Sequence, residues 1–330
     1  MAVLTEEQSM LRDAAKTWTQ EKSPVSAFRK MRDSGAPLGY DPAAFNEMAE
    51  MGWTGVIIPE EYGGSDFGYL SLGLVLEELG RTLTASPLLA TALASASALI
   101  LGGTAAQKEA WLPKIAAGEA VGTLAIEEGP HHAPEKAALA ATKSGAGYSL
   151  SGKKTFVLEG MAANVFVVSA RTSGKAGDKD GVTLFLVPAD AKGVSRKALK
   201  LADSRGAANV TFDGAEGQLL GEEGKGWPLL EKTLDRARAG LAAEMLGSAI
   251  QAFETTLDYL KTRVQFGQVI GSFQALQHRA AKMFTDLELA RSCVEAALAA
   301  IDNDSTDVPE LVSLAKAKVG DTLQDRKSVV

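Results

Sequence analysis

The spacing of apolar residues changes twice along this 330-residue chain, and these changes constrain its fold more than any other feature. Apolar residues recur at threes and fours up to about residue 119, alternate in short runs from 120 to 226, and return to threes and fours from 227 onward. A spacing near 3.6 is typical of amphipathic helices, and a spacing of two is typical of strands. The sequence therefore predicts an α+β multidomain protein with a β domain between two helical regions.

The first region, residues 1–119, is predicted to be an all-α domain. Thr5 followed by acidic residues has the pattern of a helix N-cap. A helix over residues 70–83 is expected to bury its leucines and to carry Glu77 and Glu78 on its outer face. Residues 82–107 carry no charge, but proline and glycine interrupt them, so a buried helix of small residues is predicted rather than a membrane span.

The second region, residues 120–226, is predicted to be a small β domain, most simply a barrel. Its short runs are rich in Val, Phe and Thr and are separated by Gly, Asp and Lys turns. We predict a hairpin over residues 148–158, strands over 164–170, 182–187 and 208–212, and a linker over 221–227.

The third region, residues 227–324, is predicted to be an antiparallel helix bundle, with long helices over 228–260 and 273–301 and a third from Pro309. Such a bundle needs a fourth element to cover its apolar faces, so we expect the last helix to be missing from this sequence. Residues 325–330 resemble a translated sequencing adapter and are expected to be a non-native tail. A short native tail is the alternative.

Composition excludes several classes of protein. The formal net charge of -7, without a Lys/Arg cluster, argues against a nucleic-acid partner. The single cysteine, Cys293, excludes a disulfide framework and suits a reducing compartment. The first residues have neither the basic nor the apolar segment of a signal peptide. We therefore predict a cytoplasmic protein without a membrane partner. No metal site is predicted either, because the His131–His132 pair lacks the spacing to further ligands that a metal site needs.

The end of the first bundle helix has the residue types of an anion site. Arg263 offers a fork of donors suited to a pyrophosphate, and Phe266 can lie against a flat base. Gly267 permits a positive-φ exit from the helix, and Gln274, at the start of the next helix, can contact an amide-like edge. An ordinary helix corner with a solvated arginine is the alternative.

The pattern Arg-x-Gln-Phe-Gly followed by Phe-Gln resembles the C-terminal domain of the acyl-CoA dehydrogenases. The Pro-Glu-x-Tyr-Gly-Gly element at residues 59–64, its following Glu-Glu-Leu-Gly helix and residues 107–119 resemble the same family in the same order. The resemblance implies FAD-dependent α,β-dehydrogenation of an acyl-CoA thioester. It also implies that Arg263, Gln265, Phe266 and Gln274 hold the FAD pyrophosphate and adenylate of a neighbouring subunit.

The β domain matches the family pattern less well. Glu128 fits the family's Thr-Glu-Pro, but the Thr and the Gly-Ser-Asp that follow it in the family are absent. Phe156 keeps the aromatic wall of the flavin site, whereas Leu158 replaces a hydroxyl residue. These departures leave open a second function, a non-catalytic partner subunit in a mixed oligomer.

For the substrate, Asp235 and Arg238 match the family's Asp-x-x-Arg beside the thioester. Some relatives carry the catalytic base one residue before this arginine, where this chain has Ala237, and Glu244 is the nearest carboxylate on the same helix. The catalytic residue is therefore unassigned, and this chain is expected to be inactive by itself. The implied partners are acyl-CoA, an electron-transfer flavoprotein or similar acceptor, and further subunits in a homotetramer or mixed tetramer.

Overall fold

The computed structural model describes residues 4–145 and 147–329, with side chains described through Gln324. The contacts divide the chain into two compact units. The first contains the N-terminal residues through Ala27, the segment Gly68–Thr84 and the residues from Arg238 onward. The second contains Phe28–Phe67 and Ala85–Ala237. The side chains of the predicted tail, residues 325–330, lie outside the described residues.

The helices and strands follow the predicted order. The α-helices are α1 (Glu6–Lys22), α2 (Val25–Ser34), α3 (Pro42–Glu50), α4 (Gly68–Arg81), α5 (Ala96–Gly102), α6 (Ala105–Ala116), α7 (Gly226–Thr262), α8 (Gln274–Asp302) and α9 (Val308–Val329). The strands are β1 (Gly122–Ala125), β2 (Ala140–Ser144), β3 (Gly147–Leu158), β4 (Val165–Arg171), β5 (Val182–Pro188), β6 (Val194–Ala198), β7 (Ala207–Leu220), β8 (Val264–Gln265) and β9 (Gln268–Val269).

The strands of the second unit close into the predicted barrel. Strand β3 pairs with β2 and β7, β5 pairs with β7 and β4, and one residue pair between β2 and β4 completes the ring. Strand β1 runs parallel to β4 outside the ring, and β6 pairs with β7. Every residue of β4 is buried, which explains its nearly continuous apolar sequence. Phe166, Phe185 and Phe212 occupy the barrel core.

The predicted hairpin over residues 148–158 is wrong, because this segment is the single long strand β3. The hairpin partner is β2, which pairs with β3 from Ser144 opposite Gly147 to Ala140 opposite Ser151. Gly152 lies within the strand, and the pairing with β7 continues on both sides of it. The polar run Gly-Lys-Lys resembles a turn in sequence, but Lys154 is fully buried in the unit.

The uncharged segment 82–107 forms buried helical structure, as predicted. A π-helix, Leu89–Ser95, continues directly into α5, and the side chains from Ala90 to Leu99 are buried. None of the helices among residues 4–145 and 147–329 is long and apolar enough to cross a membrane.

In the first unit, α1 begins with the predicted cap. The Thr5 side chain accepts from the backbone N–H of Gln8, and the Gln8 side chain accepts from the backbone N–H of Thr5.

Helices α4 and α7 cross at two glycines. A Cβ added to Gly80 would lie 2.0 Å from the Glu244 carbonyl oxygen, and one added to Gly247 would lie 1.8 Å from that of Glu77. The two backbones therefore touch where no side chain fits.

The predicted exposure of Glu77 and Glu78 is wrong, since both are buried. Arg291 on α8 donates to the Glu77 carboxylate at 3.0 Å, and Arg81 lies 3.5 Å from Glu78. Burial raises the pKa of both carboxyls, and the arginines oppose that shift. The two acids point inward because cations from neighbouring turns and helices meet them there.

Asp302, the last residue of α8, caps the N-terminus of α4. Its two carboxylate oxygens accept from the backbone N–H groups of Tyr69 at 2.6 Å and Leu70 at 2.9 Å. We expect Asp302→Ala to destabilise this unit by about 1 kcal/mol, the usual effect of removing a helix N-cap. Urea unfolding measures the loss, with the exposed Asp258→Ala on α7 as the control. Equal unfolding midpoints for the two variants would contradict a capping role for Asp302.

Candidate functional site

A tight hairpin follows α7 and carries the predicted pyrophosphate residues. Strands β8 and β9 pair Val264 with Val269 and Gln265 with Gln268, which leaves Phe266 and Gly267 as the two turn residues. Both have positive φ, 53° and 77°, as a type I′ turn requires. The Ile270 N–H donates to the Arg263 carbonyl at 2.8 Å, which fixes the backbone while the Arg263 side chain is exposed.

Phe266 is 90% exposed at the tip of this hairpin. Its ring meets the edge of Phe273, with centroids 6.1 Å apart and planes at 81°. Gln265 is exposed beside it, and Gln274 is exposed at the first turn of α8. Arg263, Gln265 and Phe266 therefore lie together on one exposed hairpin. Gln274 follows this hairpin in the sequence, at the start of α8.

In the second unit, Phe156 and Leu158 lie near the end of β3, and each is 48% exposed. Val157 between them is buried and pairs with Ala208 of β7. The pairing with β7 is irregular between Lys154 and Val157, so the strand bulges where Phe156 leaves it. We call the exposed side chains of Phe156 and Leu158 the β3 platform.

Both aromatic residues of the predicted flavin site adopt a strained backbone. Phe156 has φ of 50° and Phe266 has φ of 53°, and these are the two aromatic residues among the non-glycine residues at positive φ in the described chain. Such a conformation costs about 1–3 kcal/mol for a bulky residue and persists mainly at functional sites. The strain and the exposure together indicate that these rings serve to contact something other than the protein core.

Glu128 is committed to internal contacts. Its carboxylate accepts from Lys154 Nζ at 2.7 Å and from the backbone N–H groups of Ala138 at 2.9 Å and Leu139 at 3.0 Å. Burial lowers the pKa of Lys154, and the Glu128 charge opposes that shift. Lys154 also donates to Ser169 Oγ at 3.0 Å. The predicted flavin contact of Glu128 stays a prediction, and no local pattern indicated its partner Lys154.

Glu159, directly after the β3 platform, was not predicted as a site residue. It is 6% exposed and has φ of 53°. Burial raises the pKa of its carboxyl to about 8. The sequence contained no signal for it, because a glutamate after a strand is ordinarily a solvated turn residue.

The neighbouring acid Glu127 pairs with a histidine. The Glu127 carboxylate lies 2.5 Å from His132 Nδ1 and also accepts from the Ala133 N–H at 3.1 Å. Among the residues that the structure describes, no group of three or more His, Cys, Asp or Glu side chains could hold a metal ion.

The predicted substrate residues lie on α7. Asp235 is buried and Arg238 is half-buried. Ala237 carries no acid or base, and Glu244 is half-buried one turn before the crossing at Gly247. Their role in substrate binding stays a prediction, and the structure assigns no catalytic base.

Three domain descriptions match consecutive parts of the chain. The acyl-CoA dehydrogenase N-terminal domain matches residues 5–119, the middle domain 129–214 and the C-terminal domain 224–327. Together they span nearly all of the sequence, and the chain belongs to the acyl-CoA dehydrogenase family.

Individual relatives agree with this assignment. The mitochondrial isovaleryl-CoA dehydrogenase of Arabidopsis thaliana is 36% identical over 270 residues, covering 79% of this chain and 66% of the relative. Butyryl-CoA dehydrogenase from Megasphaera elsdenii superposes with a TM-score of 0.90 at 27% identity, covering 99% of this chain and 87% of that one. A chain of the structure described as the electron transferring flavoprotein of Acidaminococcus fermentans superposes equally well, with a TM-score of 0.90 at 30% identity and with 99% and 87% covered.

Family membership confirms the predicted fold class, a helical domain followed by a β domain and a helix bundle. It also confirms the predicted class of enzyme, an oxidoreductase acting on CH–CH groups, and FAD as its cofactor. The comparisons do not favour the alternative of a non-catalytic partner subunit.

Proposed function

We propose that this protein catalyses the FAD-dependent α,β-dehydrogenation of an acyl-CoA thioester. When bound, FAD supplies the acceptor for the hydride that leaves the β-carbon. The protein must hold the thioester, stabilise the developing enolate charge and remove the α-proton. The observation that carries the proposal is the pair of exposed, strained aromatic residues, Phe156 and Phe266, at two positions where the family resemblance implies flavin contacts.

The residues present suit such a cofactor. The exposed Arg263 guanidinium would pair with the pyrophosphate, and Phe266, Gln265 and Gln274 would contact the adenylate. The β3 platform would lie against the flavin ring, since an aromatic and an aliphatic side chain offer it an apolar surface.

For the substrate, we propose that Asp235 and Arg238 line the thioester and pantetheine channel. A buried acid and a half-buried arginine on one helix suit a polar, partly desolvated group. The base is left unassigned, because the position that carries it in some relatives is Ala237 in this chain. Glu244 is the nearest candidate on α7.

We further propose that the protein is a cytoplasmic homotetramer or a mixed tetramer. Its electron acceptor would be an electron-transfer flavoprotein or a similar protein. The proposed domains are residues 1–119, 120–226 and 227–324. The exposed hairpin supports shared FAD sites, because the Phe266 ring at its tip is 90% exposed. A flavoprotein acceptor is supported by the description of the Acidaminococcus structure, which names an electron transferring flavoprotein.

The reaction is tested with protein expressed from its own gene. We expect a purified flavoprotein whose visible flavin absorbance is bleached by an acyl-CoA under anaerobic conditions, within a panel of chain lengths and branched acyls. Absence of bound flavin after reconstitution with FAD would contradict the proposal. Bleaching that is lost in Glu244→Gln would identify Glu244 as the base, and bleaching that is retained would exclude it.

Replacement of Arg263 with Ala is expected to weaken FAD binding about ten- to a hundred-fold, since a charge-assisted hydrogen bond contributes about 1.5–3 kcal/mol. Equilibrium dialysis of FAD measures the effect. Lys261→Ala removes an exposed cation from the last turn of α7 and is the matched control, for which binding should be nearly unchanged. An Arg263→Ala variant that binds FAD as tightly as the control would remove Arg263 from the site.

A further inference from the structure

The carboxyl group of Glu159 lies in an enclosed position that the proposed reaction does not use. Glu159 follows Leu158 at the end of β3 and is 6% exposed. Its Oε2 atom is buried and has no hydrogen-bond partner among the described residues. An unpaired buried carboxylate is strongly unfavourable, so this environment favours the neutral acid.

Two glycines close the space above this carboxyl. A Cβ added to Gly206 would lie 2.6 Å from Glu159 Oε2 and 2.3 Å from the Leu38 carbonyl oxygen. A Cβ added to Gly39 would lie 2.1 Å from the Gly206 backbone nitrogen. The backbone at Gly39 therefore crosses the backbone at Gly206 in direct contact, and the Glu159 carboxyl lies beneath this crossing.

The backbone of Glu159 is held on both sides. Its N–H donates to the Gly206 carbonyl at 2.9 Å, and its own carbonyl accepts from the N–H groups of Ala162 and Ala163, each at 2.9 Å. The residue before it, Leu158, pairs with Ala207 of β7. The backbone of Glu159 therefore connects the crossing to the β3 platform.

The charged and titratable groups around Glu159 come from two segments. Arg205 and Asp203 precede β7, and Tyr40 lies between α2 and α3. Burial raises the pKa of the Glu159 carboxyl to about 8; the Arg205 charge lowers it and the Asp203 charge raises it further. Burial, with the Glu159 charge, raises the pKa of Tyr40 to about 12, so Tyr40 is a neutral phenol. Arg205 is thus the cation whose charge favours the ionised form of Glu159.

We propose that Glu159 is a positioning residue for the β3 platform. The neutral carboxyl of Glu159 keeps the crossing of Gly39 and Gly206 closed, and its ionisation releases both the crossing and the platform. This inference rests on the proposed function in one respect, because it takes the β3 platform to be a flavin surface. The closure itself depends only on contacts within this unit.

The first arm of the test measures the FAD dissociation constant of the full chain from pH 6 to pH 10. For the wild type we expect it to rise about tenfold between pH 7 and pH 9, following the ionised fraction of a group with a pKa of about 8. In Glu159→Gln, which carries a neutral amide of the same size, this rise should vanish. The control is Glu216→Gln, an exposed acid on β7, which should follow the wild type. Glu159→Asn replaces Glu159→Gln if the latter does not fold, because asparagine tolerates positive φ.

The second arm measures amide hydrogen-exchange protection at Leu158, Glu159 and Ala207 over the same pH range. We expect protection to fall with a midpoint near pH 8 in the wild type and in Glu216→Gln, but not in Glu159→Gln. Identical pH profiles for wild type and Glu159→Gln in either arm would overturn the proposal. If no variant binds FAD at any pH, the proposed function fails, and the exchange arm alone then decides whether Glu159 controls the closure.

Discussion

Replacement of Lys154 with Met is expected to destabilise the second unit by about 3–5 kcal/mol. Lys154 is fully buried, and its ammonium group donates to the Glu128 carboxylate at 2.7 Å and to Ser169 Oγ at 3.0 Å. Methionine fills a similar volume without a charge, so the variant leaves the Glu128 carboxylate without its cation. The loss arises mainly from that uncompensated charge, since well-packed apolar atoms replace the lysine stem.

The adjacent residue gives the control for this prediction. Lys153 is exposed on the same strand, and Lys153→Met should change the free energy of unfolding by no more than about 0.5 kcal/mol. The double variant Lys154→Met/Glu128→Gln should recover part of the loss, because it removes the uncompensated charge. Its single amide oxygen can still accept from one of the two N–H groups, those of Ala138 and Leu139, which donate to different oxygens of the Glu128 carboxylate. Urea unfolding measures all three variants. If Lys154→Met and Lys153→Met unfold at the same urea concentration, the ion pair contributes nothing to stability.

Glu159→Gln is expected to gain about 4–5 kcal/mol of stability over the wild type as the pH rises from 4 to 9. Below pH 4.5 the Glu159 carboxyl is protonated in both the folded and the unfolded wild type, so it adds no pH dependence. Above this pH the unfolded chain releases the proton, whereas the folded protein keeps it until the pH passes about 8. Each pH unit in this window lowers the stability of the wild type by about 1.4 kcal/mol. The amide of the variant does not titrate and lacks this loss.

This prediction is measured as the difference in the free energy of unfolding between the two proteins at several pH values. The wild type loses stability with rising pH because the pKa of Glu159 is raised in the folded protein. The stability that is present below pH 4.5 is lost as the pH rises through about 8. The exposed Glu216→Gln variant should show no such divergence from the wild type. A constant difference from pH 4 to 9 between Glu159→Gln and the wild type would refute the buried, neutral state of Glu159.

The periodicity of the sequence was sufficient for the architecture. Apolar spacing is a local property that reports which face of an element is buried, so the order of helices, barrel and bundle followed directly from it. The cap at Thr5 and the positive φ at Gly267 could also be predicted, because each depends on one residue type and its immediate neighbours. The predicted flavin residues Arg263, Gln265 and Phe266 were identified from a short motif and lie on one hairpin.

The errors share one physical cause: a charged residue in a local pattern is interpreted as exposed. Gly152, Lys153 and Lys154 look like a turn, but all three pair with β7, and the buried Lys154 donates to Glu128, which is distant in sequence. Glu77 looks like an outer-face residue of α4, but Arg291, more than two hundred residues later, pairs with it.

The sequence by itself determined which segments form helices and strands, in what order, and which residue types could meet a pyrophosphate and a flat ring. Only the tertiary structure decided which charges are buried, because the burial of Lys154, Glu77 and Glu159 depends on partners and backbone crossings from remote segments. It also decided the strained φ of Phe156 and Glu159. A backbone conformation that disfavours most side chains persists only when surrounding contacts enforce it, and those contacts are not encoded in the local sequence.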